Sequence, residues 1–447
     1  MVTIEEIKPT EKGEWDMSEQ RNEIAFHTSS VNGIHVHILP TAKFKTTTIV
    51  TMIEQELSEA HVTKTALLAM VMKRATARFP ETKQLREHLD YLYGAIFDVD
   101  VVKKGERQIL QIYMEVPNEK YLSQETSLLD QAIRFVGDVL TRPYLEGEAF
   151  AEKYVAQEKE TLRKRIESLI DDKMKYANQR VTAEMCKGEP FALLAQGRTE
   201  DLPSITGAEL YRYFREITSR NPIDIFVVGD VQRAEVEEAI STHVTPDRAE
   251  VITFPPTNAT KQVTQAREVI ERLDVSQAKL NIGCRTQISY KDDDYPALLV
   301  YNGVLGGFPH SKLFVNVREK ASLAYYAVSR LESHKGILMM MSGIDANNYR
   351  RAVDIIKEQL DLMRQGSITA GELEQTKATL TNQFRELLDS ARMMIDFAYN
   401  GVLSGRKRQL NELLNEINGV TVDDIKRVAE RVAIDTIYLL RDKKGDV

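Results

Sequence analysis

Apolar and polar residues alternate along Gln108-Ile109-Leu110-Gln111-Ile112-Tyr113-Met114-Glu115-Val116, which predicts a strand with one buried face. Residues 128–140 shift to helical spacing and end at Thr141-Arg142-Pro143. A long helix is predicted over about 150–194. Thr206-Gly207-Ala208-Glu209 reads as a capping box that opens the next helix through Tyr213 and Phe214. The apolar run Ile223-Asp224-Ile225-Phe226-Val227-Val228 predicts a closing strand.

The same order then returns. Residues 336–344 are strand-like, and the continuous run Ile337-Leu338-Met339-Met340-Met341 predicts burial on both faces. Residues 352–364 have helical spacing with a stop at Gly366. Thr369-Ala370-Gly371-Glu372 caps a long helix through Leu387, Thr421-Val422-Asp423-Asp424 caps a helix over 425–432, and 436–440 close as a strand. The offset between copies is about 215–230 residues, which means duplicated domains rather than a solenoid. Pro-rich turns at Thr245-Pro246-Asp247 and Phe254-Pro255-Pro256-Thr257-Asn258 mark a linker. The expected organisation is one half over 1–242, a linker over 243–265 and a second half over 266–447. Each half is expected to be α+β, an antiparallel sheet with helices packed on one face. A parallel βαβ plan fits less well, because several helices follow one another without a strand and no Gly-rich phosphate loop follows a strand.

The 447 residues exceed one ordinary core, in keeping with several domains. A net charge of −8 gives no electrostatic support for nucleic-acid binding. Cys186 and Cys284 cannot form a disulfide framework and are expected as reduced, buried thiols. Residues 1–6 are acidic without an apolar core, so no signal peptide is read there, and no run reaches the roughly 18 apolar residues of a membrane span. A cytoplasmic protein without membrane partners is expected, which makes the sequon Asn258-Ala259-Thr260 irrelevant.

Candidate chemistry concentrates in residues 310–331, read as a short helix, a turn and a strand. Arg318 ends the helix, and Tyr325 begins the strand seven residues on. A guanidinium and a phenol held by one corner can both donate to a single carbonyl or oxyanion. Other features carry less. His35 and His37 share a strand face without a third ligand. Gln84-Leu85-Arg86-Glu87-His88 lacks a first histidine, so Glu87 and His88 read as helix-surface residues. Asp292-Asp293-Asp294 lacks the spaced oxygens of a calcium loop and reads as a solvated turn and helix cap. Ser311 follows His310 without a nucleophile-elbow pattern. Arg163-Lys164-Arg165 reads as a solvated helix face, with an acidic-peptide preference as the alternative if it lines a chamber. Arg406-Lys407-Arg408 reads as a solvated loop. Gly306-Gly307 has no Lys-Ser/Thr at nucleotide-loop spacing and is either a tight loop between helices or a substrate contact.

The chain resembles the pitrilysin/insulinase-type zinc peptidases, metallopeptidase family 16, subfamily B. Four stretches carry the likeness: TALLAMVMKRATARFP over 65–80, PFALLAQGRTEDLPSIT over 190–206, Val227-Val228-Gly229-Asp230-Val231, and Leu305-Gly306-Gly307 through Tyr325. The family's inverted zinc motif places two His four apart on a helix with a Glu base. The matching positions here are Ala66, Leu67, Leu68, Ala69 and Met70, and the downstream Glu falls near Arg165, with Glu160 and Glu167 a turn away. Alanine has no donor atom, so the chain is expected to bind no metal itself. The resemblance implies a non-catalytic subunit of a heterodimeric peptidase. A homologous, motif-bearing partner would supply zinc; this chain would supply Arg318 and Tyr325 (the register selects Tyr325 over Tyr326), with Gly306 and Gly307 near substrate. The implied substrates are short unfolded peptides, including leader peptides of ribosomally made natural products. The competing reading is a structural scaffold subunit with no role in proteolysis.

Overall fold

The computed structural model describes residues 24–122 and 127–443; residues 1–6 lie outside them. Two sheets organise the chain. The first runs, edge to edge, His27–Val31, Ile34–Pro40, Ile223–Gly229, Thr46–Glu56, Arg107–Pro117, Ile96–Lys104. The second runs Arg267–Arg272, Ala433–Arg441, Ala278–Arg285, Ile337–Ile344, Ala324–Glu332. Apart from the extra His27–Val31 edge, the two orders match strand for strand. Both also contain one parallel pair at the same place, Ile34–Pro40 with Ile223–Gly229 and Arg267–Arg272 with Ala433–Arg441. The repeat read from the sequence is therefore a repeat of topology, in sheets that are antiparallel except at that pair.

One face of each sheet packs on helices of its own half. In the first half Ile49, Ile53, Leu110, Ile112, Ile225 and Val227 meet apolar residues of helices Val62–Met72, Leu128–Thr141, Gly207–Arg220 and Arg233–His243. The opposite faces are covered by exchange. Helix Lys173–Met185 of the first half lays Ala177, Val181 and Met185 on Ile337, Met339, Met341, Tyr438 and Leu440 of the second sheet. Helix Ala391–Ser404 of the second half covers Val50, Phe226 and Val228 of the first, with the Tyr399 and Phe226 rings edge-to-face at 6.0 Å. This is why Ile337–Ile344 is buried along its whole length.

The exchange corrects the single long helix over 150–194. The chain breaks after helix Glu152–Glu167, makes a short turn at Ser168–Asp171, and restarts as Lys173–Met185. Asp172 causes the restart: its Oδ1 accepts from the N–H groups of Met174 and Lys175 at 3.1 Å each, capping a new helix aimed at the other half. The Thr206 box is also half made. Thr206 accepts from the Glu209 N–H, but the Glu209 carboxylate turns to Lys64 at 2.7 Å. The boxes at Thr369 and Thr421 close in both directions.

A buried ionic cluster fastens the halves. Glu189 accepts from Arg285 at 2.7 Å, Lys261 at 2.6 Å and Lys335 at 2.8 Å, and Lys335 also reaches Glu106 at 2.6 Å. The connecting stretch is pinned alongside: Arg248 donates to the carbonyls of Thr218 and Asn221, and Lys335 donates to the Asn258 carbonyl. The Asn258 side chain accepts from the backbone and hydroxyl of Thr260. No helix among the described residues is long and apolar enough to cross a membrane.

Candidate functional site

The corner over 303–326 is built on close packing. Helix Tyr295–Asn302 widens into the i→i+5 turns of Gly303–Gly307. Gly306 is buried there, and a Cβ on it would come 2.6 Å from Ser329 Oγ and 2.8 Å from the Ser329 backbone N. This corrects the expectation of Gly306 as a substrate contact: it is the point where helix and strand touch, while Gly307 is exposed. A second wide-turn segment, Phe314–Lys320, carries Arg318; such i→i+5 turns recur at functional sites. Asn316 anchors it, donating to Gln359 at 2.7 Å.

The chain then reverses sharply. The Ala321 N–H donates to the Asn316 carbonyl and the Leu323 N–H to the Val317 carbonyl, with Ser322 left-handed at φ 53°. These bonds clip the corner shut one residue before Arg318 and two before Tyr325. The following strand begins with a bulge: Ala324 pairs with Ile344 and Tyr326 with Gly343, leaving Tyr325 as the extra residue. A bulge re-aims a side chain, and Tyr325 is 82% exposed. Tyr326 lies instead among the apolar residues covered by Lys173–Met185, and burial pushes its phenol up to about 12. Arg318 is exposed, its guanidinium carbon 4.4 Å from the Phe314 ring centroid. Among the described residues neither Arg318 nor Tyr325 has a hydrogen-bond or ion-pair partner, so both donors are available.

The helix Val62–Met72 matches the zinc helix of the resemblance. Its Ala66, Leu67, Leu68 and Ala69 are core residues, exposed by 3%, 0%, 0% and 1%. Met70 and Arg165 do come together, lining one cavity of about 330 Å³ with Arg74, Phe97 and Glu158. Arg165 is turned to Asp100 at 3.4 Å. Two alanines, a thioether and a guanidinium offer no zinc donor set. Among the described residues no three His, Cys, Asp or Glu side chains are placed to hold a metal ion.

Glu160 and Glu167 do not approach this cavity; Arg163 holds both on the exposed helix face, at 2.7 and 3.0 Å. The carboxylate that does is Glu158, 3% exposed and bonded to Arg74, and sequence reading missed it. Its signal was present: Val155, Glu158 and Leu162 recur at helical spacing on one buried face.

The remaining candidates resolve into structural roles. His37 is buried, stacked on Phe226 at 4.3 Å, with Nε2 2.7 Å from Asp224 and Nδ1 3.0 Å from Thr28. His35 reaches the same carboxylate at 3.6 Å, and that contact raises its pKa. His88 is not a surface residue as expected but stacks on Phe79 at 4.4 Å, and burial lowers its pKa; Glu87 is exposed. The three aspartates form the expected turn before the helix, with Asp293 exposed and Asp294 at the N-cap position, but no side chain caps the helix. Asp292 accepts from Ser289, Asp293 pairs with Arg406, and Asp294 pairs with Arg427 and Arg431 without capping. Nor is 406–408 simply solvated, because Arg408 is buried and bonds the carbonyls of Tyr290 and Asp292. Ser311 is buried, and His310 bonds Thr376 at 3.0 Å. Cys186 and Cys284 are buried thiols outside any disulfide, and the Cys186 sulfur accepts from Arg285 at 3.7 Å.

A duplicated α+β fold whose Val62–Met72 helix lacks the ligands of the zinc motif defines a metallopeptidase relative without that motif. Residues 204–380 match the family model described as the peptidase M16 inactive domain. The chain is 43% identical over 93% of its length to a probable inactive metalloprotease, YmfF, of Bacillus subtilis, covering 98% of that protein. A conserved protein of Enterococcus faecalis V583 has the same fold in its crystal structure, with a TM-score of 0.88 and 32% identity, over 94% of this chain and 100% of that one. A more distant relative, the subtilosin biosynthesis protein AlbE of B. subtilis, is 22% identical over 76% of this chain and 88% of its own. The chain belongs to the peptidase M16 family, as a member without the zinc motif.

Proposed function

We propose that this chain is the substrate-gripping subunit of a two-subunit zinc peptidase. The observation that carries the reading is the corner itself: Arg318 and Tyr325 present unused donors on a closed, bulged turn, in a chain whose zinc-motif positions carry no zinc ligands. A homologous, motif-bearing subunit would bring the zinc and its activated water. Arg318 and Tyr325 would donate to a carbonyl beside the scissile bond, holding it in line and stabilising the charge that develops on its oxygen. A scaffold subunit would gain nothing from two unpaired polar donors there, which is what favours a role in proteolysis.

Substrates on this reading are short unfolded peptides. Leader peptides of ribosomal natural products are the proposed class, supported by the likeness to a protein of bacteriocin biosynthesis. Cys186 and Cys284, buried and outside any disulfide, suit a cytoplasmic enzyme. The test is reconstitution. Alone, the chain should cleave no peptide; mixed with a motif-bearing subunit it should restore cleavage. Robust cleavage by the chain alone would end the proposal.

A further inference from the structure

The cavity beside the emptied metal helix is more than a relic. Its volume of about 330 Å³ equals roughly ten waters, enough for an acidic side chain and its stem but not for a second chain segment. Lys73, Arg74, Arg86 and Arg165 line it against a single lining carboxylate, Glu158. Glu158 neutralises Arg74. Lys73 is tied to Asp98 at 2.5 Å outside the lining, and Arg165 is loosely tied to Asp100 at 3.4 Å. Among the described residues Arg86 has no ion-pair partner. Counting Asp98 and Asp100 with the lining, four positive charges face three negative ones. Apolar Leu85, Leu89 and Phe97 form part of the wall, while Arg86 and Arg165 are exposed at its open side.

We propose that this cavity is an anion subsite that takes a carboxylate of the bound peptide, paired by Arg86 and Arg165. At the position matching the motif's downstream Glu this chain places the Arg165 guanidinium, with Arg86 on the same cavity wall, and a fork of N–H donors matches a carboxylate. The subsite names a substrate feature for the peptide-gripping subunit and rests on that reading. It predicts peptides with an acidic side chain or a terminal carboxylate reaching the Val62–Met72 helix.

The test is binding to this chain alone, by anisotropy of a rhodamine-labelled, otherwise neutral 12-residue peptide in three forms: C-terminal acid, C-terminal amide, and amide with one central glutamate. One or both acidic forms should bind about 10-fold tighter than the neutral amide at low salt, and which one does identifies the terminal or side-chain source. Arg86→Glu and Arg165→Glu should each abolish that preference with unchanged melting temperature. Arg163→Glu, on the exposed face between Glu160 and Glu167, should retain it. Equal binding of all three peptides, or equal loss in the Arg163 variant, would overturn the assignment. The assay needs no partner and no cleavage. Its failure therefore leaves the Arg318–Tyr325 reading standing, and failure of reconstitution leaves acid binding measurable.

Discussion

Arg318 lies over the ring of Phe314, one helical turn earlier, with 4.4 Å between guanidinium carbon and ring centroid. The ring supports an otherwise unpartnered cation at the exposed end of its helix. Such a contact is worth about 0.5–1 kcal/mol at an exposed site. Phe314→Leu should therefore lower partner-dependent kcat/KM by about 2–5-fold, measured in the reconstituted peptidase. Arg318→Ala should cost roughly 10²–10³-fold, because it removes a donor to the developing oxyanion.

The two adjacent tyrosines allow a sharper comparison. Tyr325 projects from the bulge, whereas Tyr326 is packed beneath Lys173–Met185. Tyr325→Phe should lower turnover by about 10²-fold with assembly intact. Tyr326→Phe keeps the packed ring and should leave turnover within about two-fold, as read from steady-state rates of both variants beside the parent.

Gly306 and Gly307 separate packing from contact. Gly306→Ala puts a methyl against Ser329 and should destabilise the fold by about 1–3 kcal/mol, moving the whole corner. The nearest atoms to a Cβ on Gly307 are Asn302 Nδ2 and the Asn302 carbonyl oxygen, each at 3.2 Å, a looser fit than at Gly306, so Gly307→Ala should lose clearly less stability than Gly306→Ala. Denaturant unfolding of the pair checks this; equal stability would contradict the packing role assigned to Gly306.

Acid stability should report on Glu189. Burial raises its pKa, but hydrogen bonds from Arg285, Lys261 and Lys335 outweigh this and hold it at about 2, below the ordinary 4.5. The sign follows: an unfolded chain binds the proton first, so the stabilisation is complete above pH 4.5 and is lost as pH falls toward 2. Glu189→Gln should unfold about 3 kcal/mol more easily at neutral pH, since Arg285 and Lys335 are only 1% exposed and lose a counter-charge. Its stability should also fall less steeply between pH 4.5 and 2 than that of the parent. A parallel pH profile would contradict the hub.

Much of the fold was legible because strand and helix periods are local. The alternation at Gln108 and the boxes at Thr369 and Thr421 each contain their own partners. The duplication was legible as order, and the matching parallel pair then follows from topology. The exchange of Lys173–Met185 and Ala391–Ser404 was not legible, because Asp172 reads alike as a surface acid or a helix cap. Arg318, Tyr325 and the Ala66–Met70 positions came from motif spacing. Glu158 and Asp224 were missed because a buried acid looks like any other until its partner, Arg74 or His37, is brought across the fold. Arg408 and Asp294 were misjudged for the same reason.

The most direct test of the divided labour is cleavage by a motif-bearing M16 subunit mixed with this chain or with its Arg318→Ala/Tyr325→Phe double variant. The account predicts cleavage with the parent chain, and with the double variant the same complex by size-exclusion but turnover reduced at least ~10²-fold. Unchanged turnover with the double variant would contradict it.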